Sequence, residues 1–102
     1  MKLMIVDDSA EFRETVSFLL SEALEIPTSE IDESESAEEF YLKLNNGRKY
    51  DFALVDVQLP GETGFQVAKV LLKSYPDIHI VLMSGILQLN ERAKFLALGI
   101  NE

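Results

Sequence analysis

The sequence predicts an α/β fold, a doubly wound parallel sheet with helices on both faces, and three observations carry that expectation. Short apolar runs at Leu3-Met4-Ile5-Val6 and at 52–55, and a strand-like run at 78–83, each end on small polar residues: Asp7-Asp8, Asp56 and Ser84-Gly85. Strands buried on both faces of a parallel sheet read this way. Between the runs, apolar residues recur at helical spacing. The connections are a few residues long, so each strand must be followed by a crossover helix that covers a face of the sheet.

Taken in order, the first run is stopped by acids, and Ser9 stands where a helix N-cap belongs. Phe12, Val16, Leu19, Leu20 and Ala23 follow at offsets of four, seven, eight and eleven, the apolar stripe of a helix packed on one side. Phe12, Val16 and Leu19 are expected in the core, and Pro27 marks the helix end. Ile31 lies in a short polar stretch that suits an edge strand. Ser36-Ala37-Glu38-Glu39 has capping-box spacing; Phe40, Tyr41 and Leu44 supply the apolar side of a second helix, and Asn45-Asn46-Gly47 stops it. After Asp56, Leu59-Pro60-Gly61 makes a turn. Phe65, Ala68, Leu71 and Leu72 define a third helix that Pro76 ends, and residues 90–98 a last one closed by Gly99. The order is strand, helix, repeated four times.

With 102 residues, 47% hydrophobic and 26% charged, the chain fits one compact domain. The lack of cysteine excludes a disulfide framework, a thiolate metal site and a thiol nucleophile. No apolar run approaches the roughly 18 residues of a membrane span, and the first run is too short for a signal peptide, so a cytoplasmic chain is expected. A net charge of −9 argues against binding nucleic acid or an anionic membrane through a broad patch. No Lys or Arg occurs between Arg13 and Lys43, whereas nine acids fall in that gap and read as a solvated face.

Ligand chemistry in such folds lies at the carboxyl ends of the strands. If the first, third and fourth strands lie side by side, Asp7, Asp8 and Asp56 converge at one rim with Ser84 beside them. Two carboxylates about 4 Å apart repel by roughly 4 kcal/mol at an effective dielectric constant of about 20, so the cluster calls for a counter-ion. Oxygen-only ligands favour a hard cation, and few carboxylates with open water positions suit Mg²⁺ better than Ca²⁺. His79, the only histidine, starts the fourth strand at the opposite rim and reads as a surface or packing residue.

Three motifs in order, Asp7-Asp8, the stretch Asp56-Val57-Gln58-Leu59-Pro60-Gly61-Glu62-Thr63-Gly64, and Ser84-Gly85, make the whole chain resemble a two-component response-regulator receiver domain. The resemblance implies a flavodoxin-like sheet with strand order 2-1-3-4. It implies that Asp56 accepts a phosphoryl group from a phosphohistidine on a histidine kinase or histidine phosphotransfer protein. Asp8 would bind Mg²⁺ directly and Asp7 largely through water, with the main-chain carbonyl of Gln58 as a further ligand. Ser84 would donate its hydroxyl to a phosphoryl oxygen and draw its loop inward. Gln58 and Ile86 match positions that tune dephosphorylation.

The family pattern continues beyond the equivalent of Gly99-Ile100-Asn101-Glu102 into a fifth strand bearing a lysine and a fifth helix, so residues 1–102 read as a receiver-like domain truncated before them. Lys94 cannot stand in for that lysine, since it falls within the last predicted helix. The expectation that follows is an exposed fourth-strand edge and apolar surface covered by a second copy, by a rearranged packing or by a partner. A phosphorylation-independent interaction, decoy or oligomerisation module with a relic acidic pocket is the competing function. A phosphatase of the haloacid dehalogenase type needs aspartates at alternate positions, whereas Asp7 is followed by Asp8 and Ser9. A flavin nucleotide binder would want a Ser/Thr-rich or Gly-rich loop where Asp8-Ser9-Ala10 stands.

Overall fold

The computed structural model describes residues 1–59 and 61–83 of the chain. Strand β1 (Leu3–Val6) leads through Asp7 and Asp8 into α1 (Ala10–Leu24), and a 3₁₀ turn (Thr28–Glu30) precedes β2 (Ile31–Ser34). Then come α2 (Ala37–Asn45), β3 (Phe52–Asp56), two short strands β4 (Gln58–Leu59) and β5 (Glu62–Thr63), α3 (Gly64–Ser74) and β6 (His79–Met83). The main sheet is parallel throughout, in the order β2-β1-β3-β6. That is the expected 2-1-3-4 order, since the fourth predicted strand is β6; β4 and β5 form a separate antiparallel pair around the predicted turn, with Gly61 at φ 77°.

The strands sort their side chains by the period of two. Met4, Val6, Ala53 and Val55 face a large core closed by Phe40 and Leu44 of α2 and by Val67, Ala68 and Leu71 of α3. Leu3 and Ile5 face the other way, with Ile31, against Val16 and Leu20 of α1. All four β1 residues are buried, as the unbroken apolar run requires. Helix caps hold the crossovers: Ser9 accepts from the Phe12 N–H, Ser36 from the Glu39 N–H, and Thr63 with Gln66 forms a full capping box. Ser36 and Glu39 share only half a box, because Glu39 Oε1 accepts from Lys43 Nζ instead.

Helix α1 ends at Leu24, shortly before the Pro27 that marks its end in the sequence, with Glu25 at φ 54° as a left-handed cap whose N–H donates to the Ser21 carbonyl. Several expectations need correction. Phe12 and Leu19 are not core residues; they are 44% and 58% exposed. The sheet-facing stripe of α1 is centred on Arg13, Val16, Ser17 and Leu20, which turns Phe12 and Leu19 to its flank. In α3, Val67 takes the buried place expected for Leu72, which is exposed. The predicted last helix at 90–98, with Ser84, Ile86 and Lys94, lies outside the described residues.

Candidate functional site: an acidic rim at the carboxyl end of the sheet

Parallel pairing puts the ends of neighbouring strands together. Val6 of β1 is in register with Val55 of β3, so the residues that follow them, Asp7 and Asp56, stand side by side at the carboxyl rim. Asp8 completes the cluster: one carboxylate oxygen from each of Asp7, Asp8 and Asp56 lies within 4.8 Å of the others. Asp7 is buried, at 7% exposure, while Asp8 is open to solvent and Asp56 half-buried.

Main-chain bonds hold these groups in place. The Asp7 N–H donates to the Ser34 carbonyl at 3.1 Å, and Asp7 Oδ1 accepts from the Ser9 N–H at 2.8 Å. Arg13, from the first turn of α1, donates through Nη1 to the Asp7 carbonyl at 2.6 Å and through Nε to Glu33 Oε1 at 3.1 Å. Asp56 Oδ1 accepts from the Gln58 N–H at 3.0 Å. The chain then turns sharply, and the Gly64 N–H donates to the Val57 carbonyl at 2.7 Å. A Cβ at Gly64 would lie 2.7 Å from the Asp56 carbonyl oxygen and 2.9 Å from Val57 Cα, so only glycine lets α3 start this close to β3.

Burial raises the Asp56 carboxyl above the ordinary carboxylate range, the Gln58 N–H pulls it back, and the nearby negative charges of Asp7 and Asp8 push it further up. The site is thus a cluster of anions whose own repulsion a cation would relieve. All its side-chain donors are hard oxygens, as a magnesium-sized divalent ion prefers. His79 takes no part; it is exposed at the other end of β6 and stacks on Phe52 at 5.2 Å.

Of the residues read from the strand ends, the structure brings together Asp7, Asp8 and Asp56, while Ser84 lies outside the described residues; Gln58, named through the resemblance, meets Asp56 through its N–H. Arg13 and Gly64 were not singled out there for the site. Gly64 closes the motif that begins at Asp56, but the close approach that requires a glycine there is not encoded in any local pattern. Arg13 had one clue, a base near a helix N-terminus, where the macrodipole disfavours it.

A doubly wound parallel domain with an aspartate triad at its carboxyl rim, one member on a strand terminus and half open to solvent, defines a class: a carboxylate module whose side chains could hold a metal ion. The chain belongs to the response regulator receiver domain family, whose model matches residues 3–102. It is 32% identical over 102 residues to the gliding motility regulatory protein of Myxococcus xanthus, covering 97% of this chain and 12% of that protein. It is 30% identical over 84 residues to the response regulator GacA of Pseudomonas protegens, covering 82% of this chain and 38% of that one. The chain therefore spans well under half the length of these relatives. Among solved structures, the response regulator TrrA of Thermotoga maritima in complex with Mg(2+)-BeF superposes with a TM-score of 0.81 at 28% identity, over 99% of this chain and 84% of that one. Receiver domains are regulatory phosphoacceptor domains of two-component systems, bind Mg²⁺ at an acidic pocket and interact with histidine kinases or phosphotransfer proteins.

Proposed function

We propose that this chain takes a phosphoryl group from the phosphohistidine of a histidine kinase or histidine phosphotransfer protein onto Asp56. The observation that carries the reading is the convergence of the Asp56 carboxylate with Asp7 and Asp8 at the end of β3. The Gln58 N–H anchors Asp56 Oδ1 and leaves Oδ2 as the nucleophile. Oδ2 bonds to phosphorus as the P–N bond to the imidazole breaks, and the bonding pair stays on the ring nitrogen.

The rim fits a hard cation by its donor chemistry: Asp8 directly, Asp7 through water, Asp56 and the Gln58 carbonyl would hold Mg²⁺. When bound, Mg²⁺ neutralises charge on the phosphoryl oxygens. Ser84, read from its sequence position, would donate its hydroxyl to a phosphoryl oxygen. Gln58 is exposed beside Asp56, which suits a side chain that tunes access of the hydrolytic water.

In this reading residues 1–102 act as a receiver unit, and the apolar surface of α1 is open to a second copy or a partner. Phe12, Phe18 and Leu19 are large and exposed along α1. The same residues favour a second reading, an interaction module indifferent to phosphorylation, whose partner binding would survive Asp56→Asn.

Incubation with acetyl phosphate and Mg²⁺, followed by intact-mass measurement, tests the main reading. One phosphoryl group is expected on the wild type and none on Asp56→Asn or in the presence of a chelator. A phosphoryl group retained by Asp56→Asn would overturn it.

A further inference from the structure

We infer that Arg13 is a positioning residue for the acidic rim: its guanidinium fixes the peptide between Asp7 and Asp8 in the orientation that lets both carboxylates converge with Asp56. The inference rests on the cation-binding reading above and assigns that reading a residue that never touches the ion.

Arg13 is an unusual choice for its place. It is the only base in α1 and sits near the helix N-terminus, while the last turn, where the macrodipole would favour a base, has none. Helix electrostatics therefore does not explain it, and its contacts do. The side chain is only 14% exposed and runs back toward the helix start, as long helical side chains do. One edge of the fork meets the Asp7 carbonyl and another meets Glu33 at the end of β2.

The Asp7 carbonyl and the Asp8 N–H belong to one rigid peptide plane, so a bond to that oxygen sets the direction in which Asp8 leaves the strand. The preceding plane is set by the Asp7 N–H on the Ser34 carbonyl. Both planes flanking Asp7 are thus tied to β2 or to a group anchored on it. Lys43 of α2 reinforces that anchor, donating to the Glu33 carbonyl and to Ser34 Oγ. A planar fork can serve two acceptors in fixed directions at once, whereas a lysine ammonium is a point charge on a flexible stem.

Charge and positioning predict opposite signs, which makes the role testable. As a mere positive charge beside three carboxylates, Arg13 would oppose Mg²⁺, and its removal would tighten binding. As a positioning group, its removal weakens binding, by about tenfold if it behaves like other groups that orient metal ligands.

The experiment is calorimetric titration of wild type, Arg13→Ala and Arg13→Lys with Mg²⁺ alone, each first checked for native circular dichroism. Arg13→Ala is expected to bind about tenfold more weakly than wild type, with Arg13→Lys weaker than wild type despite its retained charge. Unchanged or tighter binding by Arg13→Ala would overturn the inference; should that variant fail to fold, wild-type affinity in Arg13→Lys would do so. Failure of the wild type to bind Mg²⁺ would instead remove the cation-binding reading, and the role of Arg13 with it.

Discussion

Asp56 has to ionise beside two other carboxylates, and its proton affinity records the strain. Its carboxyl is raised above the ordinary range by burial and by the charges of Asp7 and Asp8. A folded-state value above the unfolded one means that the fold binds this proton more tightly, so the site stabilises the fold at low pH and opposes it once Asp56 ionises. Asp56→Asn removes that opposition. It is expected to raise Tm at pH 7 without Mg²⁺. The gap should close as pH falls through the raised Asp56 value, and thermal scans across pH check it. A lower Tm for Asp56→Asn, or a gap independent of pH, would contradict the repulsion argued here. The aspartates were legible in the sequence because each follows an apolar run whose end is unambiguous. Arg13 was not, since one partner is a main-chain oxygen and the other, Glu33, is 20 positions away.

Among the elements, the decisive contact is the start of α3 against the end of β3. Thr63 and Gln66 cap the helix reciprocally, and Gly64 admits it to within bonding distance of Val57. Gly64→Ala would force its Cβ against the backbone that carries Asp56. It is expected to cost about 1–3 kcal/mol, seen as a lower urea midpoint with an unchanged m value. At the opposite edge, Asp32 of β2 shows what a satisfied acid looks like. Burial would raise its carboxyl, but hydrogen bonds from Tyr50 and Arg48, with Lys2 nearby, outweigh it and hold it below the usual value. That group stabilises the fold above its unfolded value and loses this contribution as pH falls through the lowered one, the reverse of Asp56. Strand β1 was legible because burial on both faces leaves no polar residue to blur it, whereas β2, with Asp32 and Glu33 between Ile31 and Ser34, could be read only as a short polar edge. The rotation of α1 was not legible, because five apolar residues span too wide an arc and the buried stripe includes Arg13 and Ser17.

Across the whole molecule, charge and apolar surface divide the labour. The acids between Arg13 and Lys43 are less bare than their run suggests, since Asp32, Glu33 and Glu39 pair with Arg48, Arg13 and Lys43. The apolar surface is less covered than the helical pattern implies. Phe52 packs with the α1-side cluster, so Leu54, two residues on, and its register partner Val81 share that face of the sheet, and both are only half-buried. Phe12 and Leu19 of α1, the helix packed on this face, are exposed as well, so this side suits a second copy. Light scattering is expected to show concentration-dependent dimers that Leu19→Glu disperses; a monomer at every concentration would contradict it.

The central claim is that Asp56, and not its neighbours, receives the phosphoryl group. Treating the phosphodonor-exposed protein with borohydride reduces an acyl phosphate to an alcohol, converting the modified aspartate to homoserine. Peptide mapping is then expected to find homoserine at position 56 alone and only when Mg²⁺ was present. Homoserine at position 7 or 8, or at none of the three, would contradict the account.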